Sequence, residues 1–188
     1  AGNFAATSSF AELTVVKEVQ AVPIDRDVPL TSACLIACGV VTGLGSVFNR
    51  ANVQPGDNAA VFGAGGVGLA AIQALRIKQA STIVAVDTLA SKGELALALG
   101  ATHFVDASKD DAVQEIRELL PWSADVVEGP FGGGGVNWSF ECVGHPAVTD
   151  AAVRCLDWGG VCVQVGQMAP GVTYAIPVTA LTQVDRGI

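Results

Sequence analysis

The stretch from Ala59 to Asp87, AAVFGAGGVGLAAIQALRIKQASTIVAVD, constrains this chain more than any other. It reads as a buried strand, a glycine turn, an amphipathic helix and a second strand that ends in a carboxylate. Each glycine meets a need that a side chain would obstruct. Gly63 closes the strand into a tight turn, Gly65 lets backbone amides approach a pyrophosphate, and Gly68 lets the new helix pack on its strand. A helix starting near Gly65 aims its free N–H groups and the positive end of its dipole at phosphates. Asp87 stands nineteen residues beyond Gly68, where a carboxylate accepts hydrogen bonds from both ribose hydroxyls of an adenosine and repels a 2′-phosphate. Thr88 follows, where an arginine would favour the phosphorylated ribose. The segment therefore predicts a dinucleotide site that prefers NAD to NADP. The competing reading is a glycine-packed turn with no ligand.

The rest of the chain repeats the alternation of strand and helix. Ser91 to Leu99 predicts a helix with a capping box, SKGE, at its start and Gly100 at its end. THFVD predicts a short strand. Ser108 to Leu120 predicts a helix opened by Ser108, Asp110 and Asp111 and stopped by Pro121. VNWSFECVG predicts a strand, PAVTDAAVRCL a helix and GGVCVQVG a strand ending in a glycine turn. This spacing argues for an α/β fold, a doubly wound parallel sheet. Its ligands would sit at the carboxyl ends of the strands, where the turns at Gly63, Asp87, Gly144 and Gly166 converge.

Two segments depart from the pattern. Gly129 to Gly135, GPFGGGG, predicts a flexible loop or short insertion. The first thirty residues carry strand signals, SFAELTVV and VQAVPI, with no helix between them. They predict the tail of another domain, so the expected division is 1–30 and 31–188.

Composition narrows the function classes. The chain has 188 residues, of which 51% are hydrophobic and 15% charged, a mixture suited to strands buried on both faces. Its net charge of −8 and lack of a basic stripe argue against nucleic acid and anionic membranes as partners. The first lysine is Lys17, and the longest apolar and glycine run, Ala59 to Ile72, falls short of the about 20 residues a membrane span needs. The expectation is a soluble, cytoplasmic protein. Cys34, Cys38, Cys142, Cys155 and Cys162 are scattered without a disulfide framework, and most read as reduced packing residues. A closed structural zinc site has no set of four close cysteines to form it.

The chain resembles the zinc-dependent, medium-chain alcohol dehydrogenases. SSFAELTVV, ACLIACGVVTGLGSVFNRANVQPGD, VFGAGGVGLAAIQAL, IVAVD, LGATHFVDAS, VNWSFECVG and VQVG occur in the family's order and near its spacing. The stretch ACGVVTGLG is the most diagnostic. Glutathione- or mycothiol-linked formaldehyde dehydrogenases are equally similar. The resemblance implies a Rossmann-type cofactor domain preceded by a short remnant of a β-rich, GroES-like catalytic domain.

It also implies roles for single residues. Cys38 matches the third protein ligand of the catalytic zinc, and Thr42 a threonine beside the nicotinamide. Gly63, Gly65, Gly66, Val67 and Gly68 match the pyrophosphate turn, Asp87 the ribose acceptor and Lys92 a lysine reaching the same ribose. Val143 matches the wall of the adenosine side, and Val165 a residue whose carbonyl holds the nicotinamide carboxamide. Gln167 is the one position that would line the substrate pocket. Plainer readings stand beside these: Cys38 as a core thiol, Thr42 as a helix cap, Lys92 as a solvated lysine, His103 and His145 as solvated or hydrogen-bonded side chains. A short-chain dehydrogenase is disfavoured, because Val178 follows Tyr174 where that chemistry needs lysine.

No catalytic residue is assigned within the chain. In the family zinc polarises the alcohol oxygen so that hydride can leave toward NAD. The two other zinc ligands, the proton-relay hydroxyl and its histidine would come from a preceding catalytic domain, so zinc belongs only to a complete enzyme. Two expectations follow. The chain is the NAD(H)-binding part of an enzyme acting on small alcohols and aldehydes, or an isolated NAD-binding module without catalysis. The sheet edge left at the C-terminus predicts weak or altered self-association into a homo-oligomer.

Overall fold

The computed structural model describes residues 9–121, 133–176 and 186–188. Most of the predicted glycine loop at 129–135, and Val178, lie outside the described residues. Two compact units are present, Ala1–Cys34 and Leu35–Ile188.

In the first unit the strand expectations are not met. Its described residues form a short 3-10 turn at Glu18–Gln20 and the start of a helix at Leu30, with no strand. Phe10, Leu13, Val15, Val19 and Val22 are exposed. An extended segment becomes a strand only by sharing its N–H and C=O groups with a neighbour, and no ladder pairs these residues. Pro23 also removes one donor from VQAVPI.

A helical run extends over Leu30–Ala51. It comprises α1 (Leu30–Leu35), a π-helical turn, α2 (Val41–Gly45) and a second π turn. At 22 residues, with an 18-residue window of mean hydropathy 1.8, it is long and apolar enough to cross a membrane by length and composition. The sequence expectation weighed only uninterrupted apolar runs and did not single this helix out. Within the second unit the run nevertheless behaves as a packed helix: Gly43, Ser46, Val47 and Ala51 are buried. A Cβ on Gly43 would lie 2.3 Å from the Val67 carbonyl oxygen, so glycine lets the two helices meet.

The second unit contains β1 (Asn58–Phe62), α3 (Gly66–Ile77), β2 (Thr82–Asp87), α4 (Gly93–Leu99), β3 (His103–Asp106), α5 (Ala112–Leu119), β4 (Val136–Glu141), α6 (Pro146–Arg154) and β5 (Leu156–Gln164). The five strands are all parallel and lie in the order β3-β2-β1-β4-β5. The predicted doubly wound α/β sheet is therefore present. Order reverses between β1 and β4, so their carboxyl ends open a crevice. Phe62 pairs with both Val86 and Glu141, which brings the turns after β1, β2 and β4 level with one another.

Side-chain alternation along the strands creates two cores. Ala59, Val61 and Ala85 pack with Val47, Ile72, Leu75 and Ala96 on the face covered by α3 and α4. Ala60, Phe62, Val84 and Val86 pack with Val113, Ile116, Ala152 and Val153 under α5 and α6. Each fully buried large side chain here, such as Leu75 or Ile116, contributes about 1.5–3 kcal/mol.

Helix ends follow local chemistry, with one correction. Asp111 caps α5 by accepting from the Val113 and Gln114 N–H groups, and Gly100 ends α4 at φ +128°. The SKGE capping box does not form: Ser91 lies inside a 3-10 turn, Ala90–Lys92, and α4 starts at Gly93 with no side-chain cap. That extra turn is how Lys92 reaches back to the end of β2.

Candidate functional site

Gly63 leaves β1 at φ +94°, a conformation that disfavours side chains. A Cβ there would meet Val143 Cγ2 at 2.7 Å. Gly65 then caps α3 with an extended backbone, and a Cβ on it would meet nothing within 4 Å. Gly68 is the opposite case, since its Cβ would fall 1.8 Å from the Gly63 carbonyl oxygen. One glycine keeps a space open over a helix N-terminus, and the other lets helix and strand touch.

A cavity of about 550 Å³ lies at the carboxyl ends of β1, β2 and β4. Gly63, Gly65, Asp87, Thr88, Lys92 and Val143 line it. Six of the residues singled out from sequence are thus gathered at one place. Gly66, Val67 and Gly68 form the first turn of α3 beside it. Cys38, Thr42 and Val165 do not line the cavity. Thr42 is an exposed residue inside the Leu30–Ala51 run and caps nothing. Val165 follows β5 and donates its N–H to the Glu141 carbonyl at 2.9 Å.

Asp87 is the electrostatic centre of the cavity. Its Oδ2 accepts from the Ala64 N–H and from Lys92 Nζ, each at 2.8 Å, and its Oδ1 accepts from the Leu89 N–H at 3.0 Å. Burial alone would raise its pKa. The hydrogen bonds from Lys92, Leu89 and Ala64, with the Lys92 charge, outweigh burial and hold the carboxyl below the usual aspartate value. Nearby, Asp106 is drawn down to about 2 by Ser108 and Lys109.

The cysteines divide by burial. Cys155 and Cys162 are buried and Cys142 is half-buried, whereas Cys34 and Cys38 are exposed, and all five are free thiols. Burial pushes Cys142 up to about 12 and Cys162 up to about 11, so neither supplies a thiolate nucleophile. His103 Nδ1 lies 2.9 Å from Thr102 Oγ1, and His145 Nδ1 accepts from the Ala147 N–H at the start of α6. Among the described residues no three His, Cys, Asp or Glu side chains come together as a metal site. Cys38 by itself does not fit a zinc ion, and no zinc chemistry is assigned to this chain.

Sequence reasoning missed Glu141, a fully buried carboxylate at the end of β4. Its Oε1 accepts from the N–H groups of Val143 at 3.0 Å and Gly144 at 2.8 Å, and its Oε2 accepts from Gly144 N–H and Gln164 Nε2. A signal was available. Like Asp87, it is an acid that ends an apolar strand just before a turn.

Comparison with known proteins decides the family. The model of the zinc-binding dehydrogenase family matches residues 66–186. The chain belongs to that family. Within it, the relatives place the chain among zinc-dependent medium-chain alcohol dehydrogenases, in their NAD-binding part. An S-(hydroxymethyl)glutathione dehydrogenase from Synechocystis sp. is 41% identical over 167 residues, which cover 87% of this chain and 42% of that protein. Benzyl alcohol dehydrogenase from Acinetobacter calcoaceticus superposes with a TM-score of 0.86 at 34% identity, covering 98% of this chain and 48% of the other. An alcohol dehydrogenase zinc-binding domain protein from Burkholderia ambifaria gives 0.85 at 37%, with the same coverage. This chain therefore spans less than half the length of the relatives it matches.

Proposed function

We propose that the chain binds NAD(H) in the cavity between Gly65 and Asp87, as the cofactor domain of an alcohol dehydrogenase-like enzyme that converts alcohols to aldehydes or ketones. The observation that carries this is the pairing of an open glycine turn at the N-terminus of α3 with a buried acid at the end of β2, both lining one cavity. The α3 terminus would take the pyrophosphate, Asp87 and Lys92 the adenosine ribose, and Val143 the adenosine wall. Thr42 and the Val165 carbonyl would meet the nicotinamide half. The bound cofactor supplies the hydride acceptor. Asp87 and the absence of a cation at Thr88 favour NAD over NADP.

Residues 1–30 are assigned to the edge of a catalytic domain and 31–188 to the cofactor domain. Cys38 would serve as a zinc ligand only in company with ligands from elsewhere. The proposal includes a small alcohol or aldehyde as substrate, cytoplasmic location, self-association through the sheet edge beside β5, and neither nucleic acid nor membrane as partner. Gly187 bridges Val161 of β5, so the edge of the sheet is where a further strand would add.

A second reading is an NAD-binding module without catalysis, and it shares with the first the lack of a three-ligand metal cluster among the described residues. Equilibrium dialysis against NAD, followed by an assay with added zinc and a primary alcohol, tests both. Retained NAD with no alcohol-dependent NADH supports a cofactor domain or module. Turnover would exclude the module, and no retained NAD would exclude both.

A further inference from the structure

Among the described residues, Glu141 is the one buried acid at the crevice that the cofactor reading leaves without a task. Its side chain is fully buried, and none of the ion pairs among the described residues includes it. A carboxylate placed there costs solvation, which backbone amides recover only in part, and an apolar residue would serve packing as well or better. Something besides burial must use it.

Its partners show what it controls. Oε1 holds the N–H groups of Val143 and Gly144, which form the turn after β4. Oε2 holds Gln164 Nε2, which also donates to the Gly166 carbonyl at 2.9 Å in the turn after β5. Thr149 Oγ1 donates to Gln164 Oε1 at 3.1 Å and so fixes the orientation of that amide. The main chain of Glu141 adds to the same link, since its carbonyl accepts from Val165 and Gly166 N–H at 2.9 and 2.7 Å. The two turns lie in direct contact: a Cβ on Gly166 would be 2.1 Å from the Gly144 nitrogen.

From this geometry we infer that Glu141 is a positioning residue for cofactor binding. Its carboxylate fixes Val143 against Gly63 as one wall of the cavity. Through Gln164 it also locks the Val165–Gly166 turn in register with that wall. The dinucleotide then meets a preformed ledge and need not order two glycine turns on binding. The inference rests on the dinucleotide reading above.

The test is a fluorescence titration of the chain with NADH, paired with amide hydrogen exchange at Val143 and Gly144. Glu141→Gln points a donor at Gln164 or at the Gly144 N–H. It should weaken NADH about tenfold and speed exchange at both amides. A merely structural role predicts a lower melting temperature in Glu141→Gln with the NADH affinity of the folded chain unchanged. Wild-type affinity in Glu141→Gln, or wild-type exchange at the Val143 and Gly144 amides, overturns the inference. Should Glu141→Gln fail to fold, Gln164→Leu at an exposed position decides: about threefold weaker NADH supports the inference, and unchanged affinity overturns it. Failure of the wild-type chain to bind NADH is a separate outcome that overturns the dinucleotide reading, and the inference falls with it.

Discussion

Lys92 Nζ lies 2.8 Å from Asp87 Oδ2, and the two side chains are brought together by the 3-10 turn that follows β2. The pair presents an acid and a base to one ribose position, with the acid kept ionised by three donors. Replacing Asp87 removes acceptors that hydroxyls would use. Asp87→Gly should weaken NADH by about 1–3 kcal/mol and narrow the preference over NADPH. Fluorescence titration with both cofactors checks this, and unchanged NADH affinity would remove Asp87 from the site.

Acid sensitivity follows from the same carboxylates. Asp87 and Asp106 both have folded pKa values below the ordinary 3.8, with Asp106 at about 2. As pH falls the unfolded chain takes up these protons first, so the folded state loses ground. The stabilisation is complete above about pH 5 and is lost as pH drops through the folded values. Urea unfolding across that range should show stability rising with pH, and Asp106→Asn should flatten the slope. A slope unaltered by Asp106→Asn would show that the hydrogen bonds from Ser108 and the Lys109 pair do not stabilise the carboxylate in the folded chain.

The glycine turn separates binding from folding. Gly65→Ala adds a methyl where nothing lies within 4 Å, at an extended backbone that alanine accepts. Its melting temperature should stay near wild type while NADH affinity falls, because the methyl enters the space reserved for phosphates. Gly68→Ala drives a methyl to 1.8 Å from the Gly63 carbonyl and should cost about 1–3 kcal/mol of stability or more. Thermal melts and titrations of both variants test the contrast. Equal destabilisation by the two changes would contradict it.

The sheet and most of the cavity were legible in the sequence because they depend on local patterns. Apolar runs at TIVAV and VCVQV, the glycine spacing and the acid ending β2 are each readable within one supersecondary unit. The strand signals around Phe10 and Val22 misled, because a strand is made by its neighbour and the pattern alone cannot show whether one is present. SKGE misled because a 3-10 turn competes with a capped helix over so few residues. The membrane-length helix at Leu30–Ala51 escaped notice because its small and polar residues interrupt the apolar run without lowering mean hydropathy enough. Glu141 was missed because its partners, Val143, Gly144 and Gln164, meet only once β4 and β5 are paired.

Calorimetric titration of the 188-residue chain with NADH and, separately, NADPH tests the central reading most directly. Saturable binding of NADH, with NADPH much weaker, is the expected result. Binding of neither cofactor would mean that the open glycine turn and the Asp87–Lys92 pair do not by themselves form a dinucleotide site. Equal binding of both would contradict the role given to Asp87.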